Sequence, residues 1–384
     1  MIKILTLMVD RANYGRLKPL MQALQLDARF EQKVLCTGSM PLRRFGYVSN
    51  DVRNDGFNTL PDLYMEVEGG EHVSMGMSIG LAIQSLSVVF TYNKPDYLLI
   101  IGDRFEALAA TISAIYQNIR VIHLQGGESS GSIDESNRHA ISKMAHLHFP
   151  ATEKAKKVLI QMGENPDFVQ NYGCPVGDII LSDELPQLSD FRQTYGLQNV
   201  ESLRYAVVVF HPNTTNVHSI NENFEQITIA VEKIIKENLI DHIIWLWPNI
   251  DAGSENIHVK LRKMQKNADK RIKFVKNFKP QHYQRLIKDA HVLIGNSSSF
   301  IRDSTFTGTK VLILGNRQKF RETTENVDFF HEYTADKIIG WMKTIPQNYS
   351  KKPSFLYGKG NSSAQIIESI ANAQPPIQKQ FYFS

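Results

Sequence analysis

Six short polar clusters carry most of the residues in this chain that could do chemistry. Asp103 stands in Gly102-Asp103-Arg104, Glu128 closes the turn Gln125-Gly126-Gly127-Glu128, and Asp134 and Glu135 follow soon after. Carboxylates gathered in one site push one another's pKa values apart, so one can accept a proton while another donates one. Abstraction at a weakly acidic C–H with departure of an oxygen leaving group needs that pairing. Arg11, Arg104, Arg138, Arg317 and Arg321 all fall in or near polar clusters. A guanidinium fork suits a diphosphate, although one arginine alone is as easily a solvated charge. Gly295-Asn296-Ser297-Ser298-Ser299 opens a predicted helix, and a helix start rich in N–H and hydroxyl groups can seat phosphate oxygens or simply carry a serine N-cap. His211, directly after an apolar run, could touch phosphate or act as an acid, and Asn249 lies in a polar loop after another such run. Glu135 is equally well read as a turn cap, and His146 and His148 alternate as packing residues of a strand.

These clusters need elements to hold them, and the pattern supplies them. Short apolar runs at 2–8, 32–36, 97–101, 121–124 and 146–149 alternate with helical stretches at 14–26, 105–116, 134–143 and 153–162. The rhythm restarts with runs at 205–210, 243–247, 272–275, 292–294 and 311–314, and a helix is predicted near 364–373. Strand–helix alternation predicts an α/β chain with two doubly wound Rossmann-like domains, and ligands in such sheets sit beyond the carboxyl ends of the strands. The boundaries expected are a first domain over 1–182, a crossover over 183–204, a second domain over 205–362, and a tail over 363–384 that can pack back on the first domain. A length of 384 residues with 42% apolar and 21% charged residues fits two folded domains.

Several function classes drop out. A net charge of +4 without basic runs is no nucleic-acid footprint. Cys36 and Cys174 cannot build a disulfide framework, and the histidines lack metal-ligand spacing, so no metal is expected. Neither a Walker motif nor a GxGxxG after the first strand is present, which excludes a P-loop NTPase and argues against a nicotinamide cofactor. The amino-terminal apolar run is too short for a signal peptide, and no stretch is expected to reach the roughly 20 apolar residues of a membrane span. A cytoplasmic protein without cofactor, nucleic-acid or membrane partners is the expectation.

The motifs, taken in order, resemble the hydrolysing UDP-N-acetylglucosamine 2-epimerases, both the bacterial sialic-acid-pathway type and the epimerase half of the animal bifunctional epimerase/kinase. The matching segments are 102–109, 123–128, 131–136 with 138–143, 145–148, 211–212, 248–254, 295–298, 315–318 and 321–327, spread over the whole chain. The resemblance implies a GT-B-like pair of domains facing a cleft, assembly as homodimers or homotetramers, and a UDP-sugar substrate without a cofactor. It implies elimination of UDP across C1–C2 and hydration to a free 2-epimerised sugar for nonulosonic acid or surface-polysaccharide synthesis. By motif, Arg11 would hold the diphosphate, Asp103 would belong to the acid/base set, and Asp134 and Arg138 would line the sugar side. His211, Ser297 and Ser298 would contact phosphate, Asp303 would meet the ribose hydroxyls, and Arg317 and Arg321 would complete the nucleotide side.

The chain departs from the family at two positions. Gln125 stands where a glutamate is usual, and an amide exchanges no proton near neutral pH. Met40, in Thr37-Gly38-Ser39-Met40, stands where an imidazole is expected. Three readings follow: a 2-epimerase of UDP-N-acetylglucosamine or a modified UDP-N-acetylhexosamine, a UDP-sugar hydrolase or transferase that leaves C2 alone, and a catalytically silent nucleotide-sugar-binding protein.

Overall fold

Strands of three to seven residues, mostly apolar, can be buried on both faces only if helices cover both sides of a parallel sheet. The computed structural model describes residues 1–68, 72–212, 220–248 and 254–383, and in it the chain forms two such units. Unit 1 comprises Met1–Ser129, Ile133–Ser182 and Leu356–Ser384, and unit 2 comprises Ser130–Ser132 and Asp183–Phe355.

In unit 1, β1 (Ile2–Met8), β2 (Phe30–Cys36), β3 (Tyr97–Ile101), β4 (Arg120–Leu124) and β5 (Leu147–Phe149) form an all-parallel sheet ordered β2-β1-β3-β4-β5. The helices are α1 (Arg11–Leu26), α2 (Val48–Asn54), α3 (His72–Asn93), α4 (Phe105–Ile115), α5 (Asp134–Met144), α6 (Glu153–Gln161) and α7 (Val176–Ile180). One core, with Met8, Tyr14, Leu20, Met21 and Met40, lies under α1, and a second packs Leu86 and Phe90 of α3 with Ile100 and Ala110.

Unit 2 holds α8 (Phe191–Tyr195), β6 (Tyr205–Val209), α9 (Ile220–Lys236), β7 (His242–Leu246), α10 (Ser254–Asn267), β8 (Ile272–Val275), α11 (Pro280–Asp289), β9 (Val292–Gly295), α12 (Ser298–Thr305), β10 (Lys310–Leu314), β11 (Val327–Phe330) and α13 (Ala335–Thr344). Its sheet, again parallel, runs β11-β10-β9-β6-β7-β8 around buried Trp245, Phe224 and Ile294. The chain then returns to unit 1 through α14 (Ser362–Asn372), whose Ile366 and Ile370 join the core beneath α1. In each sheet the strand order reverses once, between β1 and β3 and between β6 and β9. Such a reversal opens a crevice at the strands' carboxyl ends, because successive helices depart to opposite faces there.

Two sequence expectations need correction. Val73–Asn93 of α3 forms a helix long and apolar enough to cross a bilayer, although no stretch was expected to come near that length. Two interruptions by glycine and several serines hid its extent, and its Leu86 and Phe90 are fully buried in the core. His148 is no mere packing residue. Its Nε2 lies 2.9 Å from Glu164 Oε2, both side chains are about 1% exposed, and Lys143 and Lys379 also reach Glu164. Burial would raise the Glu164 pKa, but His148 and the two lysines outweigh it and bring it down to about 2.

Candidate active site

The unit 1 cluster begins where β3 ends. Gly102 turns the chain with a φ of +79°, and Asp103 then presents its carboxylate to the Arg138 guanidinium. Arg138 sits on the second turn of α5, is 1% exposed, and also donates to the Glu128 carbonyl at 2.6 Å. A buried guanidinium must be paired to be tolerated, so Arg138 ties the end of β3 to the turn after β4. Glu128 itself is buried, while Asp134 and Glu135 are half-buried in the first turn of α5, where the positive helix end favours carboxylates.

His123 supports this turn from below. It is fully buried on β4, with Nε2 2.8 Å from the Gly102 carbonyl and Nδ1 3.1 Å from Ser142 Oγ. Burial pushes its pKa down to about 3, so the ring is neutral, donating from Nε2 and accepting at Nδ1 from the hydroxyl. Arg104 points elsewhere than Asp103's partner. It occupies the N-cap position of α4 without a side-chain capping bond and forks onto Glu106, with contacts of 3.0 and 3.2 Å. Glu106 is completely buried, and desolvation with the nearby Glu66 charge lifts it to about 7 against the opposing pull of Arg104. Arg11 is the first residue of α1, beside the β1/β3 reversal, behind an N-cap in which Asp10 accepts from the Asn13 N–H at 2.7 Å.

The two departures are both interior residues. Gln125 holds a φ of +61°, is 2% exposed, and donates from Nε2 to Cys174 Sγ at 3.0 Å. Met40 is wholly buried in the same core cluster as Cys36, Val48 and Val52, where a thioether packs well and an imidazole would need polar partners.

In unit 2 the clusters meet at the β6/β9 reversal. His211, past the end of β6, and Asn296, past the end of β9, are clasped reciprocally. The His211 N–H donates to Asn296 Oδ1 and Asn296 Nδ2 donates to the His211 carbonyl, both at 2.8 Å. Ser297 occupies the N-cap position of α12 without capping it, and its hydroxyl lies 2.9 Å from that of Ser299, which in turn meets Tyr283 OH at 2.7 Å. Ser297 and Ser298 remain partly exposed at the helix start. Arg317 and Gln318, in the loop after β10, both donate to the Asn296 carbonyl, and Arg321 Nε donates to Gln318 at 2.8 Å. Asp303 is 1% exposed and accepts from Gln284 at 3.1 Å. Asn249 lies outside the described residues, so its place is not assigned. Among the described residues, no three His, Cys, Asp or Glu side chains are grouped to hold a metal ion.

The family model for UDP-N-acetylglucosamine 2-epimerase matches residues 22–371. The chain belongs to the UDP-N-acetylglucosamine 2-epimerase family. It is 32% identical over 368 residues to the UDP-N,N'-diacetylbacillosamine 2-epimerase (hydrolyzing) of Legionella pneumophila, covering 96% of this chain and 95% of that one. It is also 31% identical to the polysialic acid biosynthesis protein P7 of Escherichia coli, over 100% of this chain and 97% of that protein. The fold matches that of Neisseria meningitidis UDP-GlcNAc 2-epimerase bound to UDP-GlcNAc, with a TM-score of 0.80, 19% identity, and coverage of 97% and 100%. This is the GT-B-like pair of parallel-sheet α/β domains common to the family.

Within this epimerase fold, Asp103, Glu128 and Arg138 come together in unit 1, and His211, Ser297, Arg317 and Arg321 gather around Asn296 in unit 2. Sequence reasoning gave no role to Asn296, Gln318, Tyr283, His123 or Glu106. All of these but Tyr283 sit inside quoted motifs, so their side chains were available as a signal. The role of His123 depends on its reach to the Gly102 carbonyl and Ser142, which spacing does not encode, and that of Glu106 on its complete burial.

Proposed function

We propose that the chain is a cytoplasmic, homo-oligomeric hydrolysing 2-epimerase of UDP-N-acetylglucosamine or a modified UDP-N-acetylhexosamine. The observation that carries this reading is the Asp103 carboxylate clasped by buried Arg138 at the β1/β3 reversal. It stands in a chain that resembles, over nearly its whole length, relatives named as hydrolysing 2-epimerases. In the reaction a base removes the C2 proton while the C1–O bond breaks and UDP leaves with the electron pair, giving a C1=C2 double bond. Water then adds, its oxygen to C1 and a proton to the opposite face of C2, and the free epimerised sugar departs. Asp103 and Asp134 are assigned the proton transfers, with Glu128 beside them and His211 as an acid or phosphate contact. Arg138 would hold Asp103 in position. Ser297, Ser298, Arg317, Arg321 and Arg11 are assigned to the diphosphate, where guanidinium and hydroxyl groups replace hydration. No added metal or organic cofactor is invoked.

One observation favours a second reading, UDP release without change at C2. Gln125 is an amide and Met40 a thioether, so neither supplies an exchangeable proton near neutral pH, and both are interior residues. Incubating the protein with UDP-N-acetylglucosamine in D₂O and following it by NMR separates the readings. Deuterium at C2 of a released manno sugar supports epimerisation. UDP release with protium retained at C2 supports the second reading, and saturable binding without turnover would make the chain a silent nucleotide-sugar binder.

A further inference from the structure

We propose that Lys379, in the strap of chain that follows α14, is a positioning residue for the reaction: it fixes α5 and thereby holds Asp103, Asp134 and Arg138 in place. The inference rests on the proposed assignment of Asp103 and Asp134 to the proton transfers. Beyond α14 the chain runs over unit 1 without helix or strand. Arg120 Nε donates to the Pro375 carbonyl at 2.8 Å, and the Tyr382 N–H donates to the Gly163 carbonyl at 3.0 Å. His146 accepts from the Val121 N–H at Nδ1, so its Nε2 carries the proton and donates to the Ile377 carbonyl at 3.0 Å. Lys379 lies between these anchors. Its ammonium reaches the Lys143 carbonyl at 2.9 Å, the Ser142 carbonyl at 3.4 Å and the carboxylate of Glu164, an acceptor for each of its three protons.

α5 needs such an anchor. Most helices are held by an apolar face, but α5 buries only Arg138, Ile141 and Ser142. The carbonyls of its last turn need donors, and the negative helix end favours a cation. Lys143, the basic residue of that turn, points away, to the Met162 carbonyl at 2.9 Å and Glu164 at 2.8 Å. An ammonium from 236 residues along the chain takes its place.

The same contact reaches the acid/base cluster by two routes. Ser142 accepts from Lys379 at its carbonyl and donates its hydroxyl to His123, whose Nε2 holds the Gly102 carbonyl beside Asp103. Arg138, one turn earlier on the helix, clasps the Asp103 carboxylate, and Asp134 opens the helix. A shift of α5 therefore moves both supports of Asp103 together with Asp134, and a misplacement of about 1 Å far from the reacting atoms can cost a hundredfold in rate. Removing Lys379 leaves Glu164 paired with His148 and Lys143, so no buried charge is stranded and the fold should persist.

Kinetics and amide hydrogen exchange on the full chain test it. Lys379→Met should lower kcat on UDP-N-acetylglucosamine at least about tenfold, keep KM within about twofold, and keep the melting shift given by UDP. Lys379→Arg should recover at least about a third of the wild-type kcat, because a guanidinium can serve the same acceptors. Peptides covering 134–144 should exchange at least about tenfold faster in Lys379→Met than in wild type. Arg120→Met removes a different strap anchor, and it should lower the melting temperature while leaving kcat and the exchange of 134–144 at wild-type values. Wild-type kcat and exchange in Lys379→Met would overturn the proposal. So would an equal loss of kcat in Arg120→Met, which would make the strap a general support of the fold. A wild type that turns over no UDP-N-acetylhexosamine would instead sink the functional reading. The exchange of 134–144 would then decide alone, with unchanged protection in Lys379→Met overturning the tether and faster exchange upholding it.

Discussion

Two side chains decide most of what can be tested one residue at a time. Asp103 meets a buried guanidinium, and a carboxylate so paired is held in one position. Asp103→Asn should lower kcat by about a hundredfold or more, the scale for losing a general acid or base, with little change in UDP affinity. Steady-state kinetics and a UDP titration on the same sample check both halves. His123 is the second. Its folded pKa is depressed to about 3 from 6.5, so between those values the unfolded chain binds the proton and the folded chain does not. Its contribution is therefore intact above pH 6.5 and is lost as pH falls toward 3. His123→Gln should be less stable than wild type at pH 7, and the gap should narrow by up to ~1.4 kcal/mol per pH unit on acidification below 6.5. Urea titrations at pH 7, 6 and 5 measure the gap, and a constant difference would mean that His123 is protonated in the folded state. Below pH 4.5 the loss of the Glu164 contribution, complete near pH 2, adds to the acid instability of both proteins.

At the level of elements, the β6/β9 reversal is the most demanding point. Gly295 has a φ of +152°, and a Cβ there would stand 1.8 Å from the Val209 carbonyl oxygen. The two residues are partners in register, so a methyl group pushes the strands apart at the end where His211 and Asn296 clasp. Gly295→Ala should cost more than ~3 kcal/mol and abolish nucleotide affinity, whereas Ser297→Ala, which removes only a hydroxyl, should leave the melting temperature within a few degrees. Differential scanning calorimetry distinguishes the two. The helix start at Ser298 and the strand before it were legible in the sequence because an apolar run ending at Gly-Asn-Ser-Ser-Ser changes period abruptly. The same logic placed the strands at 97–101 and 205–210 to within a residue. It failed for α3, which is apolar on both its core face and its outer face, so no 3.6-residue contrast marks it. It also failed for β11, whose Val-Asp-Phe-Phe sequence is only half-buried at the sheet edge. Within the site, strand-end polarity showed which loops matter, but the partner of Gln125 was invisible, because Cys174 lies 49 residues away and is reached only in three dimensions.

Over the whole molecule the chemistry is divided, with the carboxylates carried by one sheet and the serine- and arginine-bearing loops by another. If the second sheet holds the nucleotide, binding and turnover should be separable by mutation. A ligand that binds only the folded chain stabilises it by mass action, about 2.7 kcal/mol at a hundredfold excess over Kd, which for a unit of this size is a shift of a few degrees. UDP should therefore raise the melting temperature of the wild type and equally that of Asp103→Asn. Arg321→Ala should lose most of the shift while remaining folded, since its guanidinium bonds Gln318 in the loop after β10. Arg138→Lys makes the sharpest comparison. Arg138 serves Asp103 and the Glu128 carbonyl together, and a single ammonium on a shorter reach cannot make both contacts. That variant should keep the UDP shift, lose turnover to about the extent of Asp103→Asn, and add little further loss when the two are combined, as expected for residues acting as one unit. A UDP shift abolished by Asp103→Asn or Arg138→Lys, in samples with wild-type circular dichroism, would mean that the nucleotide is held by the first sheet, and the assignment of Ser297, Ser298, Arg317 and Arg321 to the diphosphate would fall.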